Sequence, residues 1–143
     1  MPELSIEHAA FTVEDPEAVA AWYVENLGMQ VVRRVGDPAR THFLADAAGV
    51  ALIEIYNNSL SPVPDYPAMH PLQLHIAFVA DDPESASRDL LAAGATWFEE
   101  KRLDDGSHLV MLRDPWGLPI QLCKRGTPLL AEGAASSAPT DAR

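Results

Sequence analysis

The segment His8-Ala9-Ala10-Phe11 returns as His75-Ile76-Ala77-Phe78, a shift of 67 residues along the chain. The same shift carries Glu54 onto Gln121 without a gap. Self-similarity at a fixed spacing indicates repeated units, each of which buries its apolar face only against a neighbour. Two copies are too few for a solenoid. We therefore expect two half-domains that pair about a pseudo-twofold axis and bring these four polar residues to one shared cleft.

A second repeat marks where a helix begins in each half. Asp15-Pro16-Glu17 and Asp82-Pro83-Glu84 both place an aspartate at the N-cap, a proline at the first helical position and an acid in the first turn. Gly28 supplies the left-handed residue that ends the first helix, and the second is expected to end near Gly94. The sequence therefore predicts one helix after the first strand of each half.

Runs of apolar and β-branched residues between turn signals predict four strands in each half. The fold class is therefore α+β, with two tandem βαβββ modules. The expected strands are 5–13, 29–35, 41–45, 50–56, 72–80, 96–103, 108–113 and 118–124. The expected domain is 1–124, with module one at 4–56, a proline-rich linker at 57–71, module two at 72–124 and a flexible tail at 125–143.

The composition is that of one globular domain with a strongly acidic balance. The chain has 143 residues and a net charge of -11, which would repel phosphate backbones and anionic lipids. We therefore expect a small-molecule substrate, with neither nucleic acid nor membrane as a partner. The start of the chain lacks a signal-peptide pattern, and Cys123 is the only cysteine, so a reducing cytoplasmic location is expected. On its strand, Cys123 is interpreted as a small buried hydrophobe.

The repeated polar residues have the chemistry of metal ligands. Two imidazoles, one carboxylate oxygen and one amide oxygen suit a divalent first-row metal, with open positions for water or substrate. Zinc, nickel, cobalt, manganese and iron(II) all fit this donor set. A carboxylate at Glu54, between Ile53 and Ile55, also needs a cation or a donor to offset its desolvation. The alternative is a relic site without a metal, in which these residues only pack and form hydrogen bonds.

Several motifs together resemble one known superfamily. Residues 4–124 are similar to the vicinal oxygen chelate superfamily, which includes glyoxalase I, methylmalonyl-CoA epimerase, extradiol dioxygenases, and fosfomycin- and bleomycin-resistance proteins. The similarity lies in 8–15, Trp22-Tyr23, Leu27-Gly28-Met29, 52–57, 74–78 and Asp114-Pro115-Trp116-Gly117 with Ile120-Gln121-Leu122. The resemblance implies a glyoxalase-like fold, whose two modules form a curved mixed-sheet cleft around a metal held by His8, Glu54, His75 and Gln121.

Bacterial glyoxalase I is the member most similar in motif, because its first carboxylate lies in a segment like Ile53-Glu54-Ile55-Tyr56-Asn57. That enzyme has a second glutamate, regarded as its proton-moving base, where this chain has Gln121. An amide ligates through oxygen but takes no proton. The resemblance therefore implies an isomerase or lyase that moves a proton next to a metal-bound carbonyl. Glu54 would serve as both ligand and base, and Tyr56 would hydrogen-bond the substrate.

Two other functions fit the same residues. His8, His75 and Glu54 satisfy the 2-His-1-carboxylate pattern of an iron(II) extradiol-type dioxygenase, which would leave Gln121 peripheral. A non-catalytic module that sequesters a small molecule, as bleomycin-resistance proteins do, is the third hypothesis. The remaining histidines, His42, His70 and His108, are interpreted as surface or structural residues. The resemblance also implies a homodimer, in which modules pair within one chain or between two.

Overall fold

The computed structural model describes residues 1–130, which form eight strands, two α-helices and one 3-10 helix. The chain divides into two compact units, Met1–Asp65 and a second that begins at Tyr66, so the boundary falls inside the predicted linker. The first unit contains β1 (Ala9–Thr12), α1 (Pro16–Leu27), β2 (Gln30–Arg34), β3 (His42–Ala45) and β4 (Leu52–Tyr56). The second contains the 3-10 helix (Tyr66–Ala68), β5 (Ile76–Val79), α2 (Pro83–Ala92), β6 (Thr96–Arg102), β7 (His108–Arg113) and β8 (Pro119–Lys124).

Each unit contains one mixed four-stranded sheet with the same topology. The strand order is β1-β4-β3-β2 in the first sheet and β5-β8-β7-β6 in the second. In both sheets the first and last strands of the unit pair in parallel, and the other pairs are antiparallel. Ala10 pairs with Glu54 in one sheet, and Ala77 pairs with Gln121 in the other. The prediction of an α+β fold with two tandem βαβββ modules is confirmed.

The helices begin where the repeated Asp-Pro-Glu motif predicts. The Asp15 side chain accepts a hydrogen bond from the backbone N–H of Ala18, and the Asp82 side chain accepts one from Ser85. Each bond satisfies one of the N–H groups that a first helical turn leaves without a partner. Gly28 ends α1 with φ of 68°, in the left-handed region that a residue with a side chain rarely adopts. The helix starts therefore follow from local chemistry alone.

The core of each unit lies between its helix and one face of its sheet. Ile53 and Ile55 on β4 are buried, as are Val19 and Tyr23 on α1. Burying one such aliphatic side chain stabilises the fold by about 1.5–3 kcal/mol, which fixes the register of the strand. Because side chains alternate along a strand, Glu54 must point to the opposite face. Gln121 is placed in the same way on β8, between buried Ile120 and Leu122.

Two expected strands are shorter than predicted. The predictions of 5–13 and 72–80 are wrong at their starts, because β1 begins at Ala9 and β5 begins at Ile76. The parallel partner strands start at Leu52 and Pro119, one residue before the first paired positions, so residues 5–7 and 72–74 lie beyond the partner strands. Ile6, inside the expected strand 5–13, lies before β1 and is 93% exposed. His8 and His75 each stand one residue before a strand.

The predicted linker is not irregular throughout. Asn58 and Ser61 form an isolated bridge, and the 3-10 helix buries Tyr66. Most of the predicted tail, residues 131–143, lies outside the described residues. Within residues 1–130, no helix has the length and apolar character needed to cross a membrane.

Candidate metal centre

The first unit brings His8 and Glu54 into contact. The two side chains meet with Nε2 of His8 and Oε2 of Glu54 at 3.0 Å, and they are 30% and 20% exposed. Phe43 flanks this pair, because it is the cross-strand neighbour of Glu54 and its ring packs edge-on against the His8 imidazole at 5.6 Å. Glu54 is therefore half-buried on the sheet face away from α1. The side chains of Ile53 and Ile55, on either side of Glu54 in the sequence, occupy the opposite face.

The hydrogen bonds of His8 determine what lies between it and Glu54. Nδ1 of His8 contacts Oε1 of Glu7 at 3.0 Å, and a carboxylate oxygen accepts, so Nδ1 donates. A neutral imidazole with its proton on Nδ1 would turn the lone pair of Nε2 toward a Glu54 oxygen, which also carries lone pairs. Two acceptors at this distance repel unless a positive charge lies between them. That charge is a proton on Nε2 or a metal cation shared by both atoms.

The separation of the two atoms suits a shared cation. Two ligand atoms that each lie about 2.1 Å from a divalent metal, at adjacent positions about 90° apart, are separated by about 3.0 Å. The distance from Nε2 of His8 to Oε2 of Glu54 has that value. One imidazole nitrogen and one carboxylate oxygen also match the ligand preferences of the first-row divalent metals. The first pair of predicted ligands therefore fits a metal ion.

In the second unit, the imidazole of His75 is oriented by the backbone. Its Nδ1 lies 2.8 Å from the carbonyl oxygen of Pro71, and a carbonyl only accepts, so Nδ1 carries the proton. The lone pair is therefore on Nε2, which remains available as a ligand. Metal-binding histidines commonly donate their other ring N–H to a carbonyl or carboxylate in this manner. No sequence pattern predicts this bond, because any residue can provide the backbone carbonyl that accepts it.

Gln121 is oriented by a neighbour on its own strand. The thiol of Cys123 contacts Oε1 of Gln121 at 3.2 Å and donates to it. Burial raises the pKa of the Cys123 thiol, so the sulfur keeps its proton and remains a donor. An amide oxygen has two acceptor positions, and one of them stays available for a cation. Cys123 is buried on a strand as predicted, but its hydrogen bond to Gln121 was missed.

The first unit thus supplies His8 and Glu54, which are in contact, and the second unit supplies His75 and Gln121. Among residues 1–130, no group of three or more His, Cys, Asp and Glu side chains gathers closely enough to hold a metal ion. Binding of His8, Glu54, His75 and Gln121 to one ion stays a prediction. Tyr56 follows Glu54 by two residues, is half-buried on the same face of β4, and keeps its substrate-binding role as a prediction.

The other histidines have the structural or surface positions expected for them. His42 is buried, and its Nδ1 donates to the carbonyl of Arg40. His108 is also buried, with Nε2 at 2.7 Å from Oε1 of Glu100. His70 is exposed and packs edge-on against a phenylalanine ring.

The glyoxalase-like domain family matches residues 8–123 of the chain. The protein belongs to this family. The predicted membership of the vicinal oxygen chelate superfamily is thereby confirmed. No curated protein sequence gives a significant match.

Solved structures of related proteins have the same fold. A glyoxalase family protein from Enterococcus faecalis is 27% identical, with a TM-score of 0.61 over 84% of this chain and 97% of its own. A glyoxalase family protein from Bacillus cereus is 16% identical, with a TM-score of 0.74 over 87% of this chain and 96% of its own. Lactoylglutathione lyase from Agrobacterium tumefaciens is 22% identical, with a TM-score of 0.61 over 86% and 95%. The last two likenesses establish the fold alone.

Proposed function

We propose that the protein is a divalent-metal-dependent enzyme that moves a proton next to a carbonyl group of a small molecule. The observation that carries the proposal is the contact between Nε2 of His8 and Oε2 of Glu54, which lie at the spacing of adjacent metal ligands. The orientation of His75 supports it, because Nδ1 is occupied by Pro71 and Nε2 is left for a metal. Zinc, nickel, cobalt, manganese and iron(II) remain the candidate ions.

Four side chains would hold the ion: His8, Glu54, His75 and Gln121. When bound there, a divalent cation would polarise a substrate carbonyl and acidify the adjacent C–H bond. Glu54 is the only carboxylate among the four, so it acts as both ligand and base. Its Oε2 faces His8, which leaves Oε1 to take the proton from the substrate carbon and return it to the neighbouring carbon. Tyr56, on the same face of β4, donates a hydrogen bond to the substrate.

Gln121 separates this site from that of bacterial glyoxalase I, the enzyme that the sequence resembles most in motif. Gln121 is a neutral ligand that cannot take a proton, and the Cys123 thiol already donates to its oxygen. A one-base mechanism centred on Glu54 follows from this difference.

We also propose that the protein acts as a homodimer in the cytoplasm. β1 and β5 are edge strands of their sheets, and edge strands offer unpaired backbone groups to a partner. Val79 at the end of β5 is 91% exposed, which is unusual for an aliphatic residue on a strand. A second copy of the chain would cover this edge. The single buried cysteine is compatible with a reducing compartment.

Metal analysis of the purified protein, followed by a screen of carbonyl substrates, tests the proposal. We expect one divalent ion per chain and turnover of 2-oxoaldehyde hemithioacetals or other α-hydroxycarbonyl compounds without oxygen consumption. Iron as the only activating metal, with oxygen uptake in the presence of catechols, would indicate the dioxygenase instead. Ligand binding by a protein that binds none of the five metals would indicate the sequestering module.

A further inference from the structure

We propose that Arg113 is a positioning residue that holds the imidazole of His75 with Nε2 free to bind a metal. The inference rests on the proposed function for the ligand role of His75. The anchoring itself is carried by contacts within the second unit. Arg113 does not need to touch the metal or the substrate, because it acts through the chain segment 66–71, hereafter the anchor segment.

Arg113 binds the anchor segment through several charge-assisted hydrogen bonds. Its Nη1 donates to the carbonyl of Tyr66 at 2.8 Å, and its Nη2 donates to that of Met69 at 2.7 Å. Nη1 also donates to the carbonyl of Gly117 at 3.1 Å, in the turn that precedes β8. Hydrogen bonds with one ionised partner are shorter and stronger than neutral ones. The planar guanidinium therefore joins the anchor segment to β7 and to the turn before β8.

Close packing reinforces this junction. A Cβ atom placed on Gly117 would lie 2.5 Å from Cγ of Pro67, so the backbone of the turn lies directly against the anchor segment. Gly117 also has φ of 93°, which excludes most side chains independently. The ring of Phe98 covers the other side of the arginine, with its centroid 5.7 Å from Cζ. The Arg113 guanidinium is thus held by the Phe98 ring as well as by the carbonyl groups to which it donates.

The anchor segment then presents one carbonyl to His75. Pro71 is fully buried, and its carbonyl oxygen lies 2.8 Å from Nδ1 of His75. The turn between them is closed by the N–H of Leu72, which donates to Nδ1 of His70 at 3.1 Å, and by the N–H of Gln73, which donates to the His70 carbonyl. Arg113, the anchor segment and the Pro71 carbonyl therefore form a continuous path to the imidazole of His75.

The equivalent histidine of the first unit lacks such a path. His8 donates from Nδ1 to the carboxylate of Glu7, which is 83% exposed and therefore weakly held. A backbone carbonyl fixed by an arginine is a more rigid partner than an exposed side chain. The second unit thus supplies the preorganised half of the site. Arg113 is responsible for the difference.

Nitrogen-15 NMR of the histidine rings in the metal-free protein tests the anchoring directly. We expect His75 of the wild type to be the Nδ1–H tautomer and Arg113→Met to give a mixture that includes the Nε2–H form. Arg113→Lys should lie between them, because an ammonium group reaches fewer of these carbonyl groups. Arg102→Met is the matched control, since Arg102 is exposed on the adjacent strand β6 and pairs with Glu100. A His75 tautomer unchanged in the folded Arg113→Lys protein would overturn the inference, whether or not Arg113→Met folds.

Zinc affinity of the same variants separates the inference from the proposed function. We expect Arg113→Met to bind zinc about 10–100-fold more weakly, which is the usual effect of losing an outer-shell partner. The Arg102→Met control should bind as the wild type does. If Arg113→Met changes the His75 tautomer but not the zinc affinity, the anchoring by Arg113 is supported and the ligand role of His75 is contradicted. An unchanged tautomer would contradict the anchoring itself.

Discussion

Nε2 of His8 lies 3.0 Å from Oε2 of Glu54, although 46 positions separate the two residues in the sequence. The parallel pairing of β1 with β4 produces this contact, because Ala9 lies beside Ile53 and Ala10 beside Glu54. Parallel strands cannot be joined by a tight hairpin, and the long connection from β1 to β4 consists of α1, β2 and β3. One half of the candidate site is therefore a direct consequence of the βαβββ topology.

Replacement of Glu54 tests its role as the base. Glu54→Gln should lower turnover by about 100-fold or more while some metal is retained, since an amide oxygen still ligates but accepts no proton. Steady-state rates must be compared at equal metal content, because a ligand change also alters occupancy. Phe43→Leu is a suitable control, since it alters the packing on His8 and leaves every ligand in place. Full activity of metal-loaded Glu54→Gln would exclude Glu54 as the base.

Replacement of Gln121 should have the opposite effect. Gln121→Glu preserves an oxygen ligand and restores a second carboxylate, so we expect metal binding to persist and glyoxalase-like turnover to rise. The assay measures isomerisation of the hemithioacetal formed from methylglyoxal and a thiol, with wild-type protein at equal metal content. Loss of metal from Gln121→Glu under conditions where wild type is loaded would contradict the prediction that a carboxylate at this position ligates in place of the amide.

Much of the fold was predictable from the sequence because its signals are local. The N-caps at Asp15 and Asp82 and the glycine at Gly28 act within one helical turn, so both helix starts were correct. The extent of β1 was not predictable, because residues 5–8 extend past the region that pairs with β4. The length of β1 depends on which residues pair with β4, and β4 lies far from β1 in the sequence.

The candidate site was predictable to a lesser extent. The repeat identified His8 and Glu54, and the structure brings these two together. The groups that orient the ligands gave no comparable signal, since the partner of His75 is the backbone carbonyl of Pro71. Arg113 acts on a segment more than 40 positions away, which no local pattern reports. The sequence repeat identifies the candidate ligand side chains of each module. The orientation of those side chains depends on tertiary contacts.

The thiol of Cys123 should react slowly in the folded protein. Burial raises its pKa above the ordinary value of about 8.5, so the reactive thiolate is disfavoured at neutral pH. Below the ordinary pKa, the thiol's contribution to the free energy of unfolding does not change with pH. The contribution is lost as pH rises from the ordinary pKa through the raised value. Cys123 is the only cysteine in the chain, so iodoacetamide labels this thiol alone. The labelling rate is measured between pH 7 and 10 for the native protein and for the protein unfolded in urea. Equal rates for folded and unfolded protein would show that the thiol is neither buried nor held on Gln121.

The proposed homodimer predicts a specific effect at the edge of β5. Val79→Lys should shift the protein from dimer to monomer, because it places a charge where an apolar side chain is 91% exposed. Light scattering after size-exclusion chromatography measures the mass. Val50→Lys is the control, since Val50 is also exposed but lies in the turn between β3 and β4. A wild-type protein that is monomeric at all concentrations would refute the dimer.

Titration of metal-free protein with cobalt(II), followed by absorbance, tests most directly whether the two pairs of ligands hold one ion. The account predicts one cobalt per chain, with a spectrum typical of mixed nitrogen and oxygen ligands. It also predicts that His8→Ala and His75→Ala each weaken binding by more than the roughly 10–100-fold expected for an outer-shell residue. Two ions per chain, or a single ion whose affinity survives either substitution unchanged, would contradict a shared site built from His8, Glu54, His75 and Gln121.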